Sequence, residues 1–289
     1  MADRSVERYI SLAGALVKIT GNSQELFEDP DILRPFLAQP GKPDRWLHCR
    51  IVDAFPRPEG ELVFLDPDRR VYALGDSYIS YIGAVESDPG RAYIRVERRG
   101  DVSHAQFLRK EILSGIPPRA VLTALETENL VTSRNGLLFH AACIEYQGQA
   151  ILFTAPSGTG KSTQADLWCR HRGTRIINGD RIVIRVTDTG VSAMGVPYSG
   201  SSGISVNTTL PLRAVVYLSQ GRDNAITVLR GVAAFRRIWE GCSVHTWNRE
   251  DIARASETAA ELIRQVPIYH FSCTPDENAV LALEAELKR

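Results

Sequence analysis

The sequence predicts an α/β fold preceded by a smaller β-rich region. Short apolar runs between turn-forming residues fill roughly the first hundred positions, strands and helices alternate from Gly136 onward, and a glycine-rich loop joins an apolar strand to a helix. With 289 residues the chain exceeds the usual domain size of about 100–150 residues. We therefore expect two units, a β-rich unit over 1–118 and an α/β unit over 119–289.

The composition is that of an ordinary globular protein. Acidic and basic side chains balance at 34 each, and 44% of residues are apolar. This balance predicts no nucleic-acid partner and no membrane partner. The N-terminus lacks the apolar core of a signal peptide, so we expect a cytoplasmic protein. The five cysteines are odd in number and never form C-x-x-C, so neither disulfides nor a zinc site is expected.

The first region is expected to form hairpins or meander strands, followed by two short helices. The predicted helices are Ala105–Leu113, stopped by the glycine and prolines of 115–118, and Ala120–Asn129. Either peptide docking by strand addition or an oligomerisation surface suits such a region, and both readings stay open. The apolar runs predicted as strands are Ile10–Ile19, Trp46–Ala54, Glu61–Leu65, Val71–Leu74, Tyr78–Ile82 and Tyr93–Val96.

The second region begins with two apolar strands, Leu137–Phe139 and Gln149–Thr154, with a predicted hairpin over Ile144–Gly148 between them. A helix is predicted over Ser162–Arg172. Two later helices have clear boundary signals: one opens at Asn248 and must end before Pro267, and the other opens at Thr274 and runs through Leu287. Further strands are predicted at Arg175–Asn178, Ile182–Val186, Ala214–Leu218 and Val266–Phe271.

The segment from Ala155 to Ser162 matches the phosphate-binding pattern G-x-x-x-x-G-K-[ST], except that alanine takes the first glycine's place. A strand before such a loop and a helix after it aim backbone N–H groups at one point, which suits phosphate oxygens. Lys161 would neutralise the phosphates of ATP, and the Ser162 hydroxyl would help to hold Mg²⁺. The predicted nucleotide-binding residues are Ser157, Gly158, Thr159, Gly160, Lys161, Ser162 and Thr163.

Asp180 lies in the turn that follows the short predicted strand Arg175–Asn178. This strand comes soon after the loop helix. A carboxylate there could ligate Mg²⁺, accept the proton of an attacking hydroxyl, or cap the turn at Gly179. His140 directly follows the apolar run Leu137–Phe139. A histidine in such a place is most often a hydrogen-bonded, partly buried residue.

Together, the segment Leu138-Phe-His140, the glycine loop and Ile177-Asn-Gly-Asp-Arg181 resemble the kinase domain of the HPr serine kinase/phosphorylase family. The resemblance covers about residues 136–220 and is strongest to the HPr-kinase-like enzymes that phosphorylate the C-terminal serine of lasso-peptide precursors. It implies a P-loop kinase domain, with His140, Lys161 and Asp180 as catalytic residues and Ser162 and Asp180 at the metal. Because HPr-type kinases form hexamers, it also implies a homo-oligomer.

Two departures limit this resemblance. Gly179 stands where the family has the first aspartate of an Asp-Asp pair, and the stretch from Ala193 to Gly200 has no acidic residue where the family has E-x-R-G-x-G. The resemblance therefore does not imply phosphorylase activity or HPr as a substrate. The stretch Gly195–Asn207 would be a loop near the phosphates or a surface connection, and Arg236 and Arg237 would reach the phosphoryl group or remain solvated helix charges.

The predicted function is ATP- and Mg²⁺-dependent transfer of phosphate to a serine hydroxyl of a protein or peptide, expected to be the C-terminal serine of a lasso-peptide precursor. Asp180, oriented by His140, would accept the hydroxyl proton. Two alternatives stay open: a P-loop kinase acting on a small molecule, and a nucleotide-gated binding protein without transferase activity. The second alternative is compatible with the loss of one carboxylate at Gly179.

Overall fold

A computed structural model describes residues 6–23, 26, 31–83, 91–113 and 120–289. The chain divides into two compact units, Met1–Leu130 with Thr246–Asn248, and Val131–His245 with Arg249–Arg289. The boundary predicted between residues 118 and 119 lies outside the described residues and stays a prediction. The predicted helix stop at 115–118 also lies outside the described residues.

The first unit is built on one eight-stranded sheet with the strand order β1-β2-β3-β8-β7-β6-β5-β4. Strand β3 is parallel to both β2 and β8, and the other neighbours are antiparallel. The strands are β1 (Val6–Leu12), β2 (Ala15–Gly21), β3 (Arg45–Val52), β4 (Glu61–Asp66), β5 (Arg69–Leu74), β6 (Ser77–Gly83), β7 (Ala92–Arg99) and β8 (Val102–Leu108). A 3₁₀ helix covers Asp31–Phe36, and the short helices are α1 (Arg109–Leu113), α2 (Ala120–Ala124) and α3 (Thr127–Thr132).

Three sequence predictions for this part of the chain differ from the structure. The helix predicted over Ala105–Leu113 is mostly strand β8, because Ser103, Ala105 and Phe107 alternate onto the buried face, a period of two that belongs to a strand. The single helix predicted over Ala120–Asn129 is two helices, and Glu126 between them has a positive φ of 47°. The predicted run Ile10–Ile19 is two strands because Ala13 and Gly14 form a turn between them.

The second unit is a ten-stranded mixed sheet with helices on both faces. Its main strand order is β12-β10-β11-β15-β14-β13-β9-β17, and β18 pairs with β15 and β16. The strands are β9 (Gly136–His140), β10 (Ala142–Tyr146), β11 (Gln149–Thr154), β12 (Arg175–Asn178), β13 (Arg181–Thr187), β14 (Gly190–Gly195), β15 (Thr209–Gln220), β16 (Ala225–Leu229), β17 (Cys242–Ser243) and β18 (Ile268–Cys273). The helices are α4 (Lys161–Arg172), α5 (Gly231–Gly241), α6 (Arg249–Gln265) and α7 (Glu277–Leu287).

Each face of this sheet has its own apolar core. On one face α5 and α6 pack through residues such as Ile238 and Leu262, and on the other α4 and α7 pack through residues such as Trp168 and Leu283. Burying Trp168 and Leu283 completely contributes about 1.5–3 kcal/mol per side chain, so these contacts hold α4 in place. The mixed α/β architecture predicted from the alternating pattern is confirmed.

Most predicted elements of the second unit are present. The hairpin of β10 and β11 turns at Gln147 and Gly148, both with positive φ. The last helix begins at Glu277, and its N-cap is Asp276, whose side chain accepts from the N–H of Asn278 at 2.9 Å. The predicted opening of this helix at Thr274 is therefore two residues early, because Asp276 accepts this bond and also a bond from the Thr274 hydroxyl.

All five cysteines are free thiols. Among the described helices, none is long and apolar enough to cross a bilayer.

Candidate active site

The glycine-rich loop lies between β11, which ends at Thr154, and α4, which begins at Lys161. Gly158 and Gly160 have φ values of 78° and 117°, a region that only glycine enters at little cost. A Cβ at either position would meet no atom within 4 Å, so conformation rather than space requires these glycines. The loop therefore turns sharply enough to leave the first N–H groups of α4 without helical partners.

Lys161 folds back over this loop. Its Nζ donates to the Ala155 carbonyl at 2.9 Å and lies 3.4 Å from the Pro156 carbonyl. Burial lowers the pKa of Lys161, and the Asp180 carboxylate partly offsets this effect. The hydroxyls of Ser162 and Thr163 are exposed and have no hydrogen-bond partner within the described part of the chain. The exposed Ser157 lies on the same loop.

His140 and Asp180 face each other beside the loop. The Nε2 atom of His140 lies 3.4 Å from Oδ1 of Asp180. Strand pairing brings them together: Arg181 pairs with His140 in the β9–β13 register, and the Ala141 N–H donates to the Asp180 carbonyl at 3.0 Å. The pair predicted by the resemblance is therefore adjacent in space.

Asn178 holds the turn that presents Asp180. Its Oδ1 accepts from the N–H groups of Asp180 and Arg181, both at 3.0 Å, and its Nδ2 donates to the Val196 carbonyl at 2.7 Å. The side chain is fully buried, so each of these polar atoms would be costly to leave without a partner. Asn178 consequently fixes the direction of Asp180 without touching its carboxylate.

The glycine- and serine-rich stretch after β14 lies against Asp180. Gly200 has a φ of 54°, and a Cβ there would be 2.7 Å from the Asp180 Cβ. A Cβ on Gly179 would be 2.1 Å from the Ser202 hydroxyl oxygen. Both glycines are needed for this close approach, so the stretch covers one side of the carboxylate.

The other side of His140 opens into a cavity of about 260 Å³, which Thr154, Tyr217 and Glu240 also line. The Thr154 hydroxyl donates to the His140 carbonyl at 2.9 Å and so fixes the end of β9 to the end of β11. The Arg237 guanidinium stacks on the Tyr217 ring at 4.2 Å and donates to Glu240 at 2.8 Å.

The electrostatics of this cluster favour a neutral imidazole. Burial lowers the pKa of His140, the Lys161 ammonium and Arg181 lower it further, and Asp180 opposes them. At neutral pH His140 is therefore uncharged and able to accept a hydrogen bond or a proton. Arg181 lies 3.8 Å from the second carboxylate oxygen of Asp180 and stacks over the ring of Tyr198.

The described residues contain no group of three or more histidine, cysteine, aspartate or glutamate side chains suited to a metal. A Mg²⁺ that bridges phosphates needs only one or two protein oxygens, since waters and phosphate complete its shell. The Asp180 carboxylate has only the long contacts to His140 and Arg181, and the Ser162 hydroxyl has no protein partner in the described chain. Both oxygens therefore fit a phosphate-bridging Mg²⁺.

Sequence reasoning missed four residues of this site: Asn178, Thr154, Tyr217 and Glu240. Thr154 could have been found, because it is the last residue of the strand before the loop. Tyr217 pairs with Thr154 across the parallel β11–β15 ladder, and Glu240 comes from α5. No local signal links these last two to the loop, since both are brought there by sheet and helix packing.

Comparison with known proteins identifies the family. No curated protein matches the chain. One solved structure with a similarity is "Structure of the Hpr(Ser) kinase/phosphatase from Coxiella burnetii", with 12% identity, a TM-score of 0.31, and coverage of 53% of this chain and 99% of that chain. That superposition is too loose to carry over residue roles. The family model of the SynChlorMet cassette protein ScmC matches residues 122–278, more than half of the chain, and the protein therefore belongs to the ScmC family.

Proposed function

We propose that the second unit is an ATP-dependent kinase that transfers the γ-phosphoryl group to a serine hydroxyl of a protein or peptide. The observation that carries the proposal is the His140–Asp180 pair beside a glycine loop whose lysine, Lys161, opens a helix. The name of the ScmC family states no reaction.

Phosphate recognition would come from the loop. The left-handed glycines Gly158 and Gly160 would turn the chain so that the loop N–H groups and the N-terminus of α4, with its partial positive charge, could bind one phosphate group. The Lys161 ammonium contacts two backbone carbonyls. Charged phosphate oxygens would attract it more strongly than these neutral carbonyls do. Mg²⁺ bound with ATP would supply charge neutralisation at the phosphates, with Ser162 and Asp180 as its protein oxygens.

The nucleoside would occupy a second cavity on the other side of the loop. This cavity has a volume of about 370 Å³ and is lined by Gly160, Thr163, Gln164, Gln220 and Thr274, among others. It continues directly from the loop that would hold the phosphates. A binding site of this size is within the usual range of about 300–1,000 Å³ for small molecules.

Proton transfer would involve the His140–Asp180 pair. The acceptor oxygen forms the new P–O bond, the bond to the β–γ bridging oxygen breaks, ADP leaves, and the hydroxyl proton passes to Asp180. His140, neutral at pH 7, lies 3.4 Å from the carboxylate and would orient it through a hydrogen bond once the two groups approach more closely. The cavity of about 260 Å³ beside His140 is large enough for one short side chain, which suits a serine at a peptide terminus. We propose the C-terminal serine of a lasso-peptide precursor as that acceptor.

The test is mass spectrometry of acceptors incubated with the protein, ATP and Mg²⁺. The panel contains peptides with a C-terminal serine, the same peptides ending in alanine, HPr, and small hydroxyl compounds, with Lys161→Ala as the inactive control. A mass gain of one or more phosphates on the serine-ended peptides alone supports the proposal. Labelling of a small compound instead would make the protein a metabolite kinase. Retained ATP binding with no labelled acceptor would indicate a nucleotide-gated binding protein.

A further inference from the structure

A second polar site lies in the first unit, on the outward face of four neighbouring strands. The pairing register places Thr20 of β2, His48 of β3, His104 of β8 and Glu97 of β7 in one row across the sheet. The adjacent row consists of Arg50, Gln106 and Arg95. Because side chains two residues apart along a strand share a face, the two rows form one continuous patch.

These seven side chains line a cavity of about 500 Å³, which we call the unit 1 cavity. Within it the Thr20 hydroxyl lies 2.8 Å from Nδ1 of His48, and the rings of His48 and His104 stack at 5.0 Å. An outward sheet face is ordinarily polar, so the composition of the rows alone does not indicate a ligand.

Buried polar atoms that lack a hydrogen-bond partner among the described residues do indicate a ligand. Arg95 is only 8% exposed, and its guanidinium uses Nη2 to bind Glu97 at 2.8 Å. Among the described residues, neither its buried Nε atom nor the buried Oε1 of Gln106, which pairs with Arg95 across β7 and β8, has a hydrogen-bond partner. Buried polar groups are nearly always satisfied, by protein, water or ligand, so two adjacent exceptions mark a place where something polar binds.

The charge of the cavity selects the kind of ligand. Two guanidinium groups, Arg50 and Arg95, face one carboxylate, Glu97. Among the described residues Arg50 has no ion-pair partner and is exposed, so its charge is available to a ligand. Burial lowers the pKa of His48, and the nearby His104 and Lys18 lower it further.

We propose that the unit 1 cavity binds a small oxyanion, a carboxylate or a phosphate group, held by the guanidinium groups of Arg50 and Arg95. Guanidinium groups match the planar, paired acceptors of such anions, and the Nε–H of Arg95 gains the acceptor it lacks. The Gln106 amide then donates or accepts next to the anion, since its two ends exchange by a rotation. This site is separate from the proposed kinase site, and neither depends on the other.

The test measures anion binding by the full chain carrying Lys161→Ala, which removes the ammonium of the glycine loop. Inorganic phosphate and acetate are titrated in separate series by calorimetry and by NMR of the imidazole signals of His48 and His104. We expect saturable shifts of both histidines. Binding weakens at least about tenfold in Arg50→Gln and Arg95→Gln, as loss of a charge-assisted hydrogen bond predicts.

Arg99→Gln is the matched control, because this exposed arginine of β7 pairs with Asp76 at 2.8 Å and does not line the cavity. Adding Arg99→Gln to the Lys161→Ala protein should leave its affinity for the anion unchanged. If Arg95→Gln, at a buried position, fails to fold, Arg50→Gln alone still tests the proposal. If only one of the two anions binds, the proposal is supported, and the anion that binds shows whether the cavity takes a phosphate or a carboxylate. Unshifted histidines, or affinity unchanged in Arg50→Gln, would overturn it.

Discussion

His140 and Asp180 are brought together by backbone pairing rather than by a side-chain hydrogen bond. Their nearest atoms lie 3.4 Å apart, beyond the usual range of about 2.7–3.2 Å, whereas the adjacent Ala141 N–H donates to the Asp180 carbonyl at 3.0 Å. The arrangement of the two strands should therefore survive removal of either side chain. This makes both residues suitable for tests that separate chemistry from folding.

Asp180→Asn keeps the shape of the side chain and removes its charge. We expect phosphoryl transfer to fall by about 10²–10⁴-fold, the range for loss of a general base, with a much smaller change in ATP affinity. Single-turnover kinetics and nucleotide titration measure the two quantities. Asp188→Asn, at an exposed aspartate beyond β13, is the matched control and should behave as wild type. Wild-type turnover in Asp180→Asn would remove this residue from the mechanism.

The pKa of His140 should lie below its ordinary value of 6.5, because burial and the Lys161 ammonium both disfavour the imidazolium. As pH falls below 6.5, the unfolded chain takes up a proton here before the folded chain does, so this group lowers folding stability on acidification. NMR titration of the His140 ring gives the midpoint. Lys161→Ala should raise that midpoint by removing a nearby positive charge. A midpoint at or above 6.5 in the wild-type protein would contradict the packing described for this site.

Gly179→Ala tests the close approach of Ser202 to the Asp180 turn. A Cβ at Gly179 would lie 2.1 Å from the Ser202 Oγ and 2.6 Å from its Cβ, so we expect a loss of about 1–3 kcal/mol in the free energy of unfolding. Ser202→Gly removes both atoms and should restore most of that loss in the double variant. Urea unfolding of the four proteins forms a double-mutant cycle. Additive effects would show that the two residues do not touch.

Arg237 should matter more for transfer than its neighbour Arg236. Arg237 contacts both Tyr217 and Glu240, which line the cavity beside His140, whereas Arg236 is exposed and binds Glu240 alone. We expect Arg237→Gln to lower kcat/KM at least about tenfold, the size of one lost charge-assisted contact. Arg236→Gln should change it less than about twofold, as for an exposed ion pair. Equal effects of the two substitutions would count against a role for Arg237.

Glu284 should stabilise the second unit in a pH-dependent way. Hydrogen bonds from Arg172 and then Tyr146 lower its pKa to about 2. Its contribution is therefore complete above the unfolded value of 4.5 and is lost as pH falls toward 2. Glu284→Gln should cost about 1–3 kcal/mol at pH 7 and progressively less below pH 4.5, measured by urea unfolding.

Glu286→Gln on the same helix is the control for that measurement. Glu286 pairs only with the exposed Arg289, at 2.9 Å, so its loss should cost less than about 1 kcal/mol. A Glu284→Gln cost that does not change between pH 7 and pH 4 would show that the carboxylate is not the group being titrated.

The local features of the fold follow from residues that are close together in the chain. The glycine loop, the strand before it, the helix from Lys161 and the hairpin at Gly148 are all set by residues close in the chain, whose conformational preferences act over a few positions. His140 is a candidate residue only through the family resemblance, whereas Asp180 also stands out by its position soon after the loop helix. The local signal failed at Ala105–Phe107, where apolar residues that suit a helix form a strand, because pairing with β3 and β7 overrides propensity.

Only the tertiary structure decided which distant residues share a site. Tyr217 reaches the loop through a parallel ladder, Glu240 through the packing of α5, and Ser202 through a close approach that needs two glycines. The unit 1 cavity likewise depends on strand register, which places Arg50, Gln106 and Arg95 in one row. Contacts of this kind depend on burial and pairing between segments that are far apart in the chain. No short stretch of sequence therefore predicts them.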